Sequence, residues 1–333
     1  MFNPFKKDYE KHFTTGPHLD TRPQELKDLD YPQKELVAAI APVVWVKKDR
    51  YKTYPVRKQN GSGSCVMMSM EKERGIIAEQ KYGEFIVFSA NPGYKNRANP
   101  AISGSTIEDL IRATQAPAVL ENMSPSMSLN DLQMMATTWP KYTEDMGKVF
   151  AAKRIFMDLD IDTIASTIEN TGKGVGLTIR FGKGEWFYNK QVKRLRPESE
   201  WTMGHRCTAV DYTLNKDGVK CLVIEDSACE DGYPQRLVPE DFLMERTYWK
   251  PNYIKNFKAY VELPDKPSFD GTIKNLQDIL KYEGLFDASA DSTGYFGPIT
   301  KKALVEFQKK YGIVPAEGVF GPVTQAKLKA LYP

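Results

Sequence analysis

The apolar pattern of this chain changes character once, midway through its central region, and that change limits the possible folds more than any other feature. After Cys65 the sequence runs Val66-Met67-Met68-Ser69-Met70 and on to Ile76-Ile77, which suits a buried helix. Ser105 followed by Glu108 is a capping-box signature and predicts another helix. Further on, residues 175–181, 186–189, 206–214 and 220–226 are short, rich in β-branched and aromatic side chains, and separated by glycine turns. These are strand signals, several of them antiparallel. A helical half followed by a β half predicts an α+β domain, with the cleft between its halves as the natural site.

The two ends read differently. Residues 1–40 are polar, carry Pro17, Pro23 and Pro32, show no sustained periodicity, and are expected to form an extension. The central domain is expected over 41–262, a linker over 263–271 and a small module over 272–333. That module repeats itself: Phe296-Gly297-Pro298-Ile299-Thr300 returns as Phe320-Gly321-Pro322-Val323-Thr324, 24 residues later. In each copy Gly-Pro should start a helix, because proline's missing N–H costs nothing in the first turn. Ile299, Ala303, Phe307 and Tyr311 are expected to share one apolar face, and Ile273, Leu276 and Leu280 mark an earlier helix. Three short helices are therefore expected.

Composition narrows the function by exclusion. The formal net charge is only +3 and there is no long basic run, so nucleic acid is not expected as a partner. The N-terminus has no apolar run of the secretory kind, and the stretch from Leu36 to Val46 is about half of what spans a bilayer. Synthesis in the cytoplasm without a signal peptide, and no membrane partner, are the expectations. The cysteines, Cys65, Cys207, Cys221 and Cys229, are then expected as free thiols. They form no CxxC pair and HExxH is missing, so no metal or other cofactor is expected, and Cys207 and Cys221 are read as strand core. A monomer is expected.

Chemistry concentrates in Gln59-Asn60-Gly61-Ser62-Gly63-Ser64-Cys65 and the helix-forming residues after it. A cysteine at a helix N-terminus feels the positive end of the dipole, which favours the thiolate. Its own N–H and a nearby glutamine amide can both donate to a developing oxyanion. The thiolate needs an imidazole, and histidine occurs only at 12, 18 and 205. His12 and His18 lie in the polar extension, which leaves His205, 140 residues after Cys65 at the head of an expected strand. Asp226, 21 residues further and at the end of the next strand, can orient the imidazole.

In order and spacing, residues 43–250 resemble the papain-like cysteine peptidases, through Pro55-Val56 with Gln59 and Gly63-Ser64-Cys65, then Gly204-His205 with Ala209-Val210, then Val223-Ile224 with Asp226-Ser227. The resemblance implies Cys65 as nucleophile, His205 as general base and acid, Gln59 as oxyanion donor and Asp226 as the group holding the imidazole. It also implies the papain-like fold. Four positions depart from the family's habit. Asp226 stands for the usual Asn, Val66 for an aromatic residue, Ala228 for the Trp that shields the His–Asn contact, and Ser62 for a disulfide cysteine. Residues 272–332 resemble the peptidoglycan-binding domain type 1 family through Leu276-Gln277, Phe307-Gln308 and the doubled motif. Together the resemblances imply an endolysin-like cysteine endopeptidase acting on, and anchored to, bacterial peptidoglycan, after release or in a virion. A wall-anchored protease cutting peptide or protein substrates, and a catalytically inactive wall-binding or virion structural protein, are the alternative readings.

Overall fold

The computed structural model describes residues 17–18, 43–59, 61–257, 268–286 and 292–333. The expected N-terminal extension with His12, apart from Pro17 and His18, and residues 263–267 of the expected linker lie outside the described residues. The chain divides into two compact units, one drawn from Met1–Trp139 and Phe150–Lys258, the other from Pro140–Val149 and Ala259–Pro333. Among the described residues no helix is long and apolar enough to cross a membrane.

In the first unit the helical half consists of α1 (Cys65–Tyr82), α2 (Asn91–Lys95), α3 (Ile107–Gln115) and α4 (Asp131–Ala136). Helix α5 (Lys141–Gly147) falls in the second unit. The β half follows as β1 (Ala152–Phe156), α6 (Ile161–Thr171), β2 (Val175–Phe181), β3 (Met203–Leu214), β4 (Lys220–Glu225), β5 (Gln235–Pro239), α7 (Glu240–Arg246) and β6 (Thr247–Phe257). Its strands form one antiparallel sheet in the order β1-β6-β2-β3-β4-β5. The α+β arrangement expected from the change of pattern is the one found.

Helix α1 is buried from Cys65 through Ala78, including Glu71, Lys72, Glu73 and Arg74. Buried charges persist only when paired, and each of these four is. Arg74 bonds Glu71 at 2.8 Å, Lys72 bonds Glu225, and Glu73 takes both Arg154 and Arg206. The spacing of partners on α1 sets its register on the sheet. Cys65, Ser69 and Glu73 recur every four residues, so they lie along one side of the helix. Ser69 and Glu73 meet β3 through Thr208 (2.9 Å) and Arg206 (3.1 Å). Gly176 on β2 makes room for this network, because a Cβ there would sit 1.7 Å from Arg206 Nη2.

Two local expectations shift. The cap of α3 is Thr106 with Asp109, one residue later than Ser105 with Glu108. Ser105 is buried with its carbonyl accepting from His18, while Glu108 faces solvent. Residues 186–189 are turns and not a strand. Their backbone groups are satisfied by side chains in place of a neighbouring strand: Arg236 donates to the carbonyls of Trp186 and Asn189, and Asp231 accepts from Tyr188 N.

The second unit ends in α8 (Ile273–Tyr282), α9 (Pro298–Lys310) and α10 (Pro322–Leu331), the last two beginning at the repeated Gly-Pro. Leu276, Ile279, Leu280, Ala303, Leu304, Phe307 and Leu328 form their core. The doubled motif is a doubled clamp. Gln277 Nε2 donates to Tyr295 O and Thr300 Oγ1, both at 3.0 Å, and its Oε1 accepts from Gly294 N. Gln308 does the same for Val319 O, Thr324 Oγ1 and Gly318 N, all within 2.7–2.9 Å. Gly294 and Gly318 adopt φ +75° and +70°, the left-handed turn that glycine takes without strain. Ile299, expected in the core, is 71% exposed. A spacing of four overshoots the helical turn and drifts about 40° per step, so Thr300 takes the buried position in its place.

Candidate active site

Cys65 is the first residue of α1. The residue before it, Ser64, makes no side-chain cap, because its hydroxyl is engaged with Ser62 Oγ at 2.6 Å. The first N–H groups of α1 therefore stay available where a developing negative charge would form. The approach to Cys65 is tight. A Cβ on Gly63 would lie 2.4 Å from Ser103 Oγ and 2.5 Å from Gly104 N, and Gly63 N donates to Asp131 Oδ1.

His205 enters from β3, paired with Ile179 of β2. Thr208 pairs with Glu225, so Asp226 leaves β4 beside the His205 end of β3. Its carboxylate is fully engaged. Oδ1 meets His205 Nε2 at 2.7 Å and accepts from Ala228 N at 2.8 Å. Oδ2 accepts from Trp186 Nε1 at 2.8 Å and from Arg236 Nε at 2.6 Å. With Nε2 held this way, the other imidazole nitrogen is the one left for the Cys65 sulfur, which adds to the forces that charge the ring.

Electrostatics follow from this packing. Burial opposes the imidazolium, but the Asp226 carboxylate, joined by Cys65, outweighs it and lifts His205 to about 10. Burial also pushes the Asp226 carboxyl upward, yet His205 and Arg236 hold it well below the usual carboxylate range. The remaining thiols have no such partner. Burial raises Cys207 well above an ordinary thiol, Cys229 to about 12 and Cys221 to about 11. All four cysteines are unbridged.

Gln59 is buried and tied to the same turn. Its backbone N–H donates to Ser227 O at 3.0 Å, and its Oε1 accepts from Ser227 Oγ at 2.5 Å. That leaves the amide nitrogen as donor, with one hydrogen directed to Ser62 O at 2.9 Å and the second available for a substrate oxygen. The four residues named from sequence are thus brought to one place. Cys65 and His205 sit on facing elements, and Asp226 and Gln59 are linked through Ser227.

Three side chains escaped the sequence reading. Trp186 supplies the indole that Ala228 lacks: it is wholly buried, donates to Asp226, and meets His205 edge-on at 5.5 Å between ring centroids. Arg236 and Asp231 complete the surroundings of Asp226. A signal for Arg236 exists, since it shares the inward face of β5 with Val238, and a charge on an apolar face implies a buried partner.

Cys65 and His205 are only 1% and 0% exposed. Pro17 and His18 run between the two halves beside them. His18 N donates to Ser105 O on the helical side, while Tyr248 Oη and Trp249 Nε1 donate to Pro17 O and His18 O from the sheet side. Gly204, next to His205, has Pro17 O 3.5 Å from where its Cβ would be.

Comparisons with known proteins agree with this architecture. Residues 270–328 match the family model described as "Putative peptidoglycan binding domain". No curated protein sequence matches the chain. Among solved structures, xylellain, a cysteine protease from Xylella fastidiosa, is similar with a TM-score of 0.59 at 15% identity, over 74% of this chain and 97% of that one. The Amb a 11 cysteine protease, a ragweed pollen allergen, matches in its proform with a TM-score of 0.53 at 14% identity, over 75% and 76% of the two chains. The cysteine protease and lectin-like domains of Cwp84 from Clostridium difficile match at 0.51 and 12% identity, over 62% and 50%. At such identities the likeness is one of fold. The chain has the papain-like fold followed by a peptidoglycan-binding type of module.

Proposed function

We propose that this protein is a cysteine endopeptidase that hydrolyses amide bonds in bacterial peptidoglycan peptides through an acyl-enzyme on Cys65. The observation that carries the reading is His205 with Nε2 held by Asp226 Oδ1 at 2.7 Å and its charge favoured by Cys65, the first residue of α1. The match of residues 270–328 supports the wall as the place of action.

In this mechanism the Cys65 thiolate attacks the carbonyl carbon while its former proton resides on His205. Charge collects on the carbonyl oxygen, where the first N–H of α1 and the Gln59 amide donate. The C–N bond breaks as His205 protonates the leaving amine. Water then attacks the thioester, giving its proton back to His205 and freeing the carboxylic acid. Asp226 keeps the ring in one tautomer and stabilises its charged form. The C-terminal module raises the local concentration of enzyme at the wall.

The test is release of new amino termini from purified cell walls, with Cys65→Ala as control. Soluble wall peptides from the native protein alone support the proposal. Cleavage of an unfolded protein without wall peptides points to a protein-directed protease anchored by its module. Wall binding without any cleavage, together with a Cys65 that resists alkylation, identifies an inactive wall binder.

A further inference from the structure

The carboxylate at 226 raises a physical problem that an amide there would not. A buried charge is costly unless it is paired and hydrogen-bonded. Here the pairing comes from Arg236, whose side chain is itself fully buried. Its guanidinium holds Asp226 Oδ2 with Nε, grips both oxygens of Asp231 at 2.9 and 3.0 Å with Nη2, and donates to the carbonyls of Trp186, Asn189 and Ala228. Asp231 in turn accepts from Tyr188 N and Tyr233 N. Arg236 is thus bonded through Nε and both terminal nitrogens, and it bonds the carboxylate in turn.

We propose that Arg236 is a positioning residue for the Cys65–His205 couple: by occupying Asp226 Oδ2 it leaves Oδ1 to His205 Nε2, and it balances the charge that makes a carboxylate tolerable in this place. The role rests on the peptidase reading of the site. The charged and titratable groups around the ring are few. Cys65 faces it from α1 and Asp226 from the end of β4, while Arg206 and Cys207 flank it on β3. Arg236 stands behind Asp226 on β5, Asp231 behind Arg236, and Tyr248 approaches Cys65 from β6. Of these, Arg236 alone touches Asp226 with a positive charge.

This arrangement predicts a reversal that ordinary structural damage does not produce. Arg236→Gln strands Asp226 Oδ2 without its guanidinium, and kcat/KM on a peptide substrate should drop about 100-fold with KM little changed, the low end of what positioned acid–base groups contribute. Adding Asp226→Asn removes the stranded charge while keeping an oxygen for His205, so the double variant should recover about tenfold over Arg236→Gln alone, as expected of residues in one network. Additive losses, with the double variant no better than the single, overturn the proposal. If Arg236→Gln does not fold, Arg236→Lys, which keeps a charge but loses the fork, is compared with its own Asp226→Asn double by the same criterion. The cycle is also read without turnover, in NMR spectra of the full chain. The downfield Nε2–H proton of His205 should vanish in the single variant and return in the double, and its persistence in Arg236→Gln refutes the positioning role. Absence of turnover in the native protein, with the NMR cycle intact, sinks the peptidase reading and leaves the positioning of His205 standing.

Discussion

Around His205, every neighbour restricts one degree of freedom of the ring. Trp186 covers one side and bonds Asp226, Asp226 fixes Nε2, and Ala228 N and Arg236 fix Asp226. Trp186→Phe keeps the ring contact and deletes the indole donor. Leaving part of a buried carboxylate unsatisfied costs about 1–3 kcal/mol, so the melting temperature should fall along with kcat, as calorimetry and peptide kinetics would reveal. Gln59 tests the oxyanion side. Gln59→Ala should lower kcat by about 100-fold or more with little change in KM, since one such donor is worth roughly 100- to 1,000-fold. An unchanged kcat removes Gln59 from the mechanism.

Among the elements, α1 carries the nucleophile and also the buried ion pairs that hold it to the sheet, so the position of Cys65 depends on Glu73 two turns away. The segment at Pro17–His18 works at this scale too. It is held by one backbone donor to Ser105 O and two side-chain donors from β6. His18→Pro deletes the backbone donor and should speed alkylation of Cys65 by a bulky epoxide inhibitor, because Cys65 and His205 are nearly sealed. Equal rates in the two proteins mean that this segment does not govern access. In the C-terminal helices the doubled clamp gives a further expectation. Gln308→Ala leaves the groups at Gly318, Val319 and Thr324 without their shared partner. A loss of about 1–3 kcal/mol should appear in denaturant unfolding.

For the whole molecule, the charged pair at the site makes stability depend on pH at both ends. His205 is raised to about 10, so its contribution is complete below its ordinary value near 6.5 and is lost as pH rises toward 10. Asp226 is depressed, so its contribution is present above about pH 4 and is lost as pH falls below that. Thermal stability should therefore peak at about pH 5–6.5 and decline on both sides, and Asp226→Asn should flatten both arms. A melting temperature that stays level to pH 10 contradicts the charged pair.

Much of this was readable in one dimension because it depends on local spacing. The helical run after Cys65, the strand at 175–181, the Gly-Pro starts of α9 and α10, and the candidate residues Cys65, Gln59, His205 and Asp226 all follow from pattern and from the scarcity of histidine. The one-residue shift at the cap of α3, the turns at 186–189 and the exposure of Ile299 did not, because each was decided by a partner distant in sequence or by the geometry of a helix turn. The same holds for the replacement of the expected tryptophan. Ala228 stands where the family has its tryptophan, and Trp186, 42 residues earlier, fills the place. Periodicity and turn chemistry act within a few residues, and so they establish which elements form and which reactive side chains each one carries. The environment of those side chains comes from packing alone: a buried charge finds its partner across elements, and Arg236 meets Asp226 only because β4 and β5 lie side by side.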